Sequence, residues 1–322
     1  MINKIIIVTG DPNSVNSEIL CKSWRRINNQ IKKNIYVISN YELFKKQMKR
    51  IKCSIKIQKV KKLNELSNSK NLKLIDINLN FSNPFKVPVK AASLFVNKSL
   101  NFAHSLALKN NNVAGIINCA IDKKLLKRSK IGVTEYLASK CKIRDNSEVM
   151  LIRNKKLSVS PVTTHIDLKD VSKKLNAKTI INKIRTIDHW FRKKINKKPK
   201  IGILGLNPHN AELRRNSVEV KIIMPTIKKL KKLGFRAEGP LVADTVFINK
   251  YKNYDVIVGM YHDQVITPFK SIFKFDAINV TLGLKYLRVS PDHGTAINLI
   301  GKNKADSKSL VECINFINKF GK

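Results

Sequence analysis

Apolar positions recur along this chain in two rhythms. Short continuous runs are bounded by polar or turn residues: Ile5-Ile6-Ile7-Val8, Ile35-Tyr36-Val37-Ile38, Val113-Ala114-Gly115-Ile116-Ile117, Ile201-Gly202-Ile203-Leu204 and Val256-Ile257-Val258. Such runs predict strands buried on both faces. Between them, apolar residues return at helical spacing. Ile19, Leu20, Trp24 and Ile27 predict a helix over 17–28. Ala92, Leu94, Phe95, Leu100, Ala103 and Leu106 predict a long one over 88–109. Further helices are expected at 41–50, 177–194, 218–233 and 307–320. Weaker strand patterns stand at 54–57, 73–76, 149–152, 157–162 and 277–284. The alternation of strand and helix predicts an α/β fold with a largely parallel sheet. No G-x-G-x-x-G follows the first strand, so the standard dinucleotide fingerprint is missing.

The chain has 322 residues, 43% of them hydrophobic, enough for a large core in one or two domains. No apolar run reaches the roughly 18 residues of a transmembrane helix. The N-terminal run reads as a first strand rather than a secretory signal. Five cysteines are scattered without a C-x-x-C pair. They predict a reduced, cytoplasmic protein whose thiols fill the core. The formal charge is +41. Lysine is spread along nearly the whole chain in company with Asn and Ile, the residues favoured by AT-rich codons, which accounts for the bias without a partner. Nucleic-acid binding is therefore disfavoured, although the field attracts anionic substrates.

The chemistry collects where apolar runs end, which is where open α/β sheets bind ligands. His165, His209 and His262 each follow a strand within about one turn, and neutral imidazoles meeting with open positions would make a catalytic metal site. Lys270 and Arg288, with Asn279 between them, could hold a phosphate or carboxylate. His293-Gly294-Thr295-Ala296 precedes Ile297-Asn298-Leu299-Ile300, a helix-like stretch whose N–H groups could face an anion or nucleotide. Asp244 reads equally well as a base and as a helix N-cap. His104, on the stripe of the long helix, reads as a packed residue.

Taken together these stretches resemble a known family. Thr163-Thr164-His165, Gly205-Leu206-Asn207-Pro208-His209, Ala243-Asp244-Thr245, Tyr261-His262-Asp263-Gln264, Asn279-Val280-Thr281-Leu282-Gly283-Leu284 and Asp292-His293-Gly294-Thr295-Ala296 resemble 4-hydroxythreonine-4-phosphate dehydrogenase of vitamin B6 biosynthesis, over essentially the full length. The resemblance implies a two-lobed isocitrate/isopropylmalate dehydrogenase-like fold with the active site in the cleft between lobes. Residues 1–125 and 275–322 would form one lobe, and 126–274 the other, which would carry dimerisation and the metal ligands. It implies a homodimer with shared active sites and one divalent metal (Zn, Co, Mg or Mn) on His165, His209 and His262. Substrate contacts would fall on Thr134, Lys270, Asn279 and Arg288, with Asp244 or Lys270 moving the hydroxyl proton. NAD or NADP would lie against His293, Gly294, Thr295 and Ala296. The implied reaction oxidises 4-phosphooxy-threonine, a small anionic phosphorylated amino acid, and decarboxylates the product.

The chain departs from the family at several points. Asn13-Ser14-Val15-Asn16-Ser17 replaces a Gly-Ile-Gly-Pro run, and Val133 replaces a substrate-contacting histidine. Ala211-Glu212-Leu213-Arg214 replaces glycines, and Val265 replaces another glycine. The Val133 change motivates a second reading, the same chemistry on another hydroxy acid such as a threonate or erythronate derivative. A third is a polyanion-binding protein on a degenerate enzyme scaffold.

Overall fold

The first apolar run forms β1 (Lys4–Val8), buried at every position, in a computed structural model that describes residues 3–126, 132–143, 147–274 and 276–321. The chain then runs through α1 (Asn16–Arg26), α2 (Asn29–Lys32), β2 (Ile35–Ser39), α3 (Tyr41–Arg50), β3 (Ile57–Val60), β4 (Leu72–Asp76), α4 (Val89–Lys109) and β5 (Val113–Asn118). The third strand lies later than the 54–57 pattern predicts. Its register is set by parallel pairing with β4, from Ile57 opposite Leu72 to Val60 opposite Ile75, rather than by its own weak alternation. Helix α5 (Val133–Lys140) carries the chain out of this unit, which comprises residues 1–137 and 285–322.

The second unit, residues 138–284, holds β6 (Val149–Arg153), β7 (Ser158–Pro161), α6 (Leu168–Lys174), α7 (Ala177–Trp190), β8 (Ile201–Leu204), α8 (Met224–Lys232), β9 (Ala237–Leu241), α9 (Ala243–Val246), β10 (Val256–Gly259), α10 (His262–Phe273) and β11 (Ile278–Leu282). Its strands are ordered β11-β6-β7-β10-β8-β9. β6 is antiparallel to both β7 and β11, and the remaining pairs are parallel. Val159, Ile257, Val265 and Phe269 meet in its core.

The chain returns to the first unit through β12 (Arg288–Pro291) and α11 (Lys308–Phe320). That unit's order is β3-β4-β2-β1-β5-β12, parallel throughout. β12 pairs with β5 through Arg288 opposite Ile116 and Val289 opposite Ile117.

Each unit has one place where the chain leaves a strand to opposite sides of the sheet. In the first unit it is between β1 and β5, and in the second between β8 and β10. Loops diverge there and leave a crevice at the strand C-termini.

The scatter of cysteines predicts free thiols throughout, but Cys21 in α1 and Cys53 beyond α3 are bonded, with Cα atoms 6.6 Å apart. Packing of α1 on α3 brings them together across 32 residues, a pairing that spacing cannot reveal. Cys119, Cys141 and Cys313 are buried thiols. The lysine bias reaches the interior: the Lys73 ammonium is fully buried and donates to the carbonyls of Lys32, Lys33 and Ser69. Among the described residues no helix is long and apolar enough to cross a membrane.

Candidate active site

In the second unit, β10 ends at Gly259 and α10 begins at His262. The His262 Nδ1 lies 2.6 Å from the Asp263 carboxylate. A carboxylate only accepts, so Nδ1 is the donor here, and a neutral imidazole so oriented would offer its Nε2 lone pair to a ligand. The His165 ring, on the loop after β7, has its centroid 6.0 Å from that of His262. Rings with centroids that far apart can each turn one nitrogen inward, and an ion between them would sit about 2 Å from each.

His209 is placed differently. It follows β8 in a turn whose residues His209, Asn210, Ala211, Glu212 and Leu213 all have φ between 47° and 57°. This left-handed run turns His209 toward two carboxylates. Its Nε2 is 3.6 Å from Asp244 Oδ2, and its Nδ1 is 3.3 Å from Glu212 Oε1. Among the described residues no group of three His, Cys, Asp or Glu side chains is placed to hold a metal ion. Within one chain the expected trio is thus a pair plus a separate, exposed imidazole. Asp244 sits in the first turn of α9 beside His209, and the cap position is taken by Val242.

Lys270 is on the same helix as His262, about 12 Å along its axis. Asn279 lies on β11, and its Oδ1 is buried with no hydrogen-bond partner. A buried acceptor left empty costs free energy, and a substrate donor would satisfy it.

In the first unit, Arg288 is 3% exposed. Its Nε donates to Asn118 Oδ1 at 2.6 Å and its Nη1 to the Thr134 hydroxyl at 3.3 Å. Burial lowers its pKa to about 10, so it stays a cation at neutral pH. The two expected substrate contacts of this unit, Thr134 and Arg288, are therefore bonded to each other in its interior. The expected cofactor loop follows β12. Thr295 accepts from the Val15 N–H at 3.1 Å, which ties the loop to the start of α1. Ile297–Leu299 is a single tight turn, so the helix expected there is too short to contribute a dipole. His293 donates from Nδ1 to the Gly294 carbonyl at 2.9 Å, and its Nε2 is buried without a partner. That lone pair fits a donor on a nucleotide base. His104 packs edge-on to Tyr286 and bonds its hydroxyl at 2.8 Å, as a structural histidine does.

Two residues in the second unit carry more of this geometry than their sequence context signals. Glu219 is fully buried. Its Oε1 accepts from the Leu206 and Asn207 N–H groups at 2.9 and 2.7 Å, and both its oxygens meet the Asn207 amide. Burial alone would raise its pKa, but the hydrogen bonds from Asn207 and Leu206 hold it below the ordinary value. Gln264 accepts from the Met260 N–H and donates to the Gly205 carbonyl, both at 2.7 Å. In the sequence Glu219 is one acid on an otherwise basic helix, and only its burial distinguishes it.

The sequence matches the family described as pyridoxal phosphate biosynthetic protein PdxA over residues 30–317. The chain belongs to this family. A 4-hydroxythreonine-4-phosphate dehydrogenase from Sulfurihydrogenibium sp. strain YO3AOP1 is 36% identical over 320 residues, covering 97% of this chain and 96% of its own. A relative from Oceanobacillus iheyensis, provisionally named a D-threonate 4-phosphate dehydrogenase, is 29% identical, covering 96% of this chain and 95% of its own. The crystal structure of 4-hydroxythreonine-4-phosphate dehydrogenase from Klebsiella pneumoniae superposes with a TM-score of 0.83 at 27% identity, covering 100% of this chain and 98% of that one. The α/β fold is the fold of the PdxA family.

The departures from the family pattern have local structural answers. Where the PdxA glycine run would follow β1, Asn13 pairs its side-chain amide with both backbone groups of Val87, at 2.8 Å each. Ser14 donates to the Asp11 carbonyl at 2.5 Å, and Asn16 to that of Ala120 at 2.7 Å. Polar side chains thus fill the space that glycines leave open. Val265 is fully buried in the core of the second unit. It presses on the strand end: a Cβ at Gly259 would lie 2.6 Å from its Cγ1.

Proposed function

We propose that this chain oxidises the C3 hydroxyl of 4-phosphooxy-L-threonine with NAD or NADP, and that the resulting 3-oxo acid loses CO2 to give 3-amino-2-oxopropyl phosphate for pyridoxal phosphate biosynthesis. The observation that carries this reading is the close approach of the His165 and His262 rings in a full-length member of the family. When bound, the divalent metal supplies Lewis acidity toward the substrate oxygens, and the nicotinamide supplies the hydride acceptor. The imidazole donor set suits Zn or Co better than Mn or Mg, which prefer oxygen ligands. His165 and His262 would hold the ion, with His209 supplied by a second copy of the chain in a homodimer with shared sites.

The remaining roles belong to this chain's own side chains. Lys270 and Arg288 hold the anionic groups of the substrate. Thr134 steadies the Arg288 guanidinium. Asn279 fills its empty acceptor with a substrate hydroxyl or ammonium. Asp244, exposed beside His209, takes the hydroxyl proton, and Lys270 returns a proton after CO2 leaves. His293 to Ala296 receive the nucleotide, with His293 Nε2 accepting from its base. A cytoplasmic location goes with these metabolites. The test is reduction of NAD or NADP by purified protein given 4-phosphooxy-L-threonine and Zn2+, Co2+, Mn2+ or Mg2+ in turn. Absence of turnover with every metal refutes the reading.

A second reading keeps the chemistry and changes the substrate to a phosphorylated threonate. Val133 supports it, because the first residue of α5, beside Thr134, has an aliphatic side chain that cannot hydrogen-bond a substrate amine. Turnover of D-threonate 4-phosphate without turnover of 4-phosphooxy-L-threonine would favour this alternative.

A further inference from the structure

We propose that Gln264 and Glu219 are positioning residues that set the mutual placement of the histidine-bearing loops. The inference rests on the metal reading above and adds residues that it does not use. The three loops leave β7, β8 and β10, neighbouring strands of the second unit. Backbone pairing ends with the strands, so beyond them something else must fix the loops.

The hydrogen bonds form an unbroken path. Thr163, two residues before His165, donates to the Met260 carbonyl from its N–H at 3.1 Å and from its hydroxyl at 2.7 Å. Met260, two residues before His262, gives its N–H to Gln264 Oε1. Gln264 Nε2 then crosses to the Gly205 carbonyl, at the point where the β8 and β10 loops diverge. The next two N–H groups after Gly205, those of Leu206 and Asn207, end on the buried carboxylate of Glu219. His209 lies two residues further on.

Side-chain packing holds the two clamps in place. A Cβ at Gly259 would lie 2.9 Å from Gln264 Oε1, and one at Gly205 would collide with the Asn210 amide and lie 3.4 Å from Glu219 Cγ. Both strand ends are bare so that these side chains can lie across them. Neither clamp bonds a histidine. Each fixes the backbone from which a histidine projects, and an imidazole ligand tolerates only small errors in that origin.

The test uses full-length protein and Co2+ alone, read by its visible spectrum and by competition with a chelator. Gln264→Met keeps the side-chain length and removes both bonds. Folded protein carrying it is expected to bind Co2+ roughly 10- to 100-fold more weakly, with an altered spectrum. Glu219→Ala is expected to do the same, and Glu219→Gln, which keeps an oxygen facing Leu206 and Asn207, to recover most of the affinity. Should Gln264→Met fail to fold, Thr163→Val, which removes only the hydroxyl bond to Met260, carries the same expectation in weaker form. Folded variants with wild-type affinity and spectrum overturn the inference while leaving the metal reading intact. Wild-type protein that takes up no Co2+ overturns both.

Discussion

Arg288 donates through Nε to Asn118 Oδ1 at 2.6 Å in the interior of the first unit. A buried guanidinium needs such acceptors, because an unpaired buried charge is far costlier than an unpaired amide. Asn118→Leu removes the acceptor and leaves the cation. The Thr134 hydroxyl still accepts, so the cost is expected to be about 1.5–3 kcal/mol, that of one hydrogen bond to a charged group, with the urea midpoint lowered accordingly. Arg288→Lys should keep the charge, lose the two-point geometry and raise KM for the phosphorylated substrate more than it lowers kcat.

If one copy of the chain completes the metal site of another, two inactive variants should repair each other. His209→Ala and His262→Ala homodimers are each expected to lack activity. Mixed, unfolded and refolded together, they form heterodimers in which one of the two sites has a full set of imidazoles. About one quarter of wild-type activity is then expected, from half the dimers carrying one working site each. A mixture no more active than its components would show that each chain builds its site alone.

Glu219 predicts a signed pH dependence. Its folded pKa lies below its unfolded value, since hydrogen bonds from Asn207 and Leu206 outweigh burial. A depressed carboxyl stabilises the fold above its ordinary pKa, and that contribution is lost as pH falls through the folded value. Wild type should therefore exceed Glu219→Gln in urea midpoint at neutral pH, and the gap should narrow as pH falls below the ordinary carboxyl range. A gap that persists in acid would assign the stabilisation to packing.

The left-handed run gives a prediction of opposite sign. Leu213 has φ 53° and is 52% exposed, so its side chain gains little from burial while its backbone is strained. Leu213→Gly is expected to stabilise the second unit by about 1 kcal/mol, read as a higher thermal midpoint.

What the sequence revealed follows the physics of each signal. Strands with all residues buried, such as β1 and β2, stand out because both faces demand apolar side chains. Amphipathic α4 is legible from its stripe, although Leu94 of that stripe is exposed and the buried face takes in Val96 instead. The candidate histidines were visible because few residues of that type exist in the chain and each follows a strand. The relations among them were not. No local pattern says that His165 faces His262 while His209 turns to Asp244, because that choice is made by five left-handed residues in a turn. Arg288 could be read as a cation but not as a buried one, because its partner Asn118 is 170 residues away. Glu219 and Gln264 escaped for a related reason: their role is to bond backbone groups, and any backbone offers those.

The pairing of β12 with β5 also fixes an order of events during synthesis. Residues 138–284 are contiguous, so the second unit has all its strands before the last stretch of chain leaves the ribosome. The first unit does not. At that stage β5 has β1 on one side and no partner on the other, and the α1 carboxylate of Glu18 still awaits the N–H of Ala305. A nascent chain folded to that point therefore presents an open parallel edge until its own β12 adds to it. A premature stop after residue 284 would leave that edge exposed permanently, and such a fragment is expected to associate with itself rather than to accumulate as a soluble half-protein.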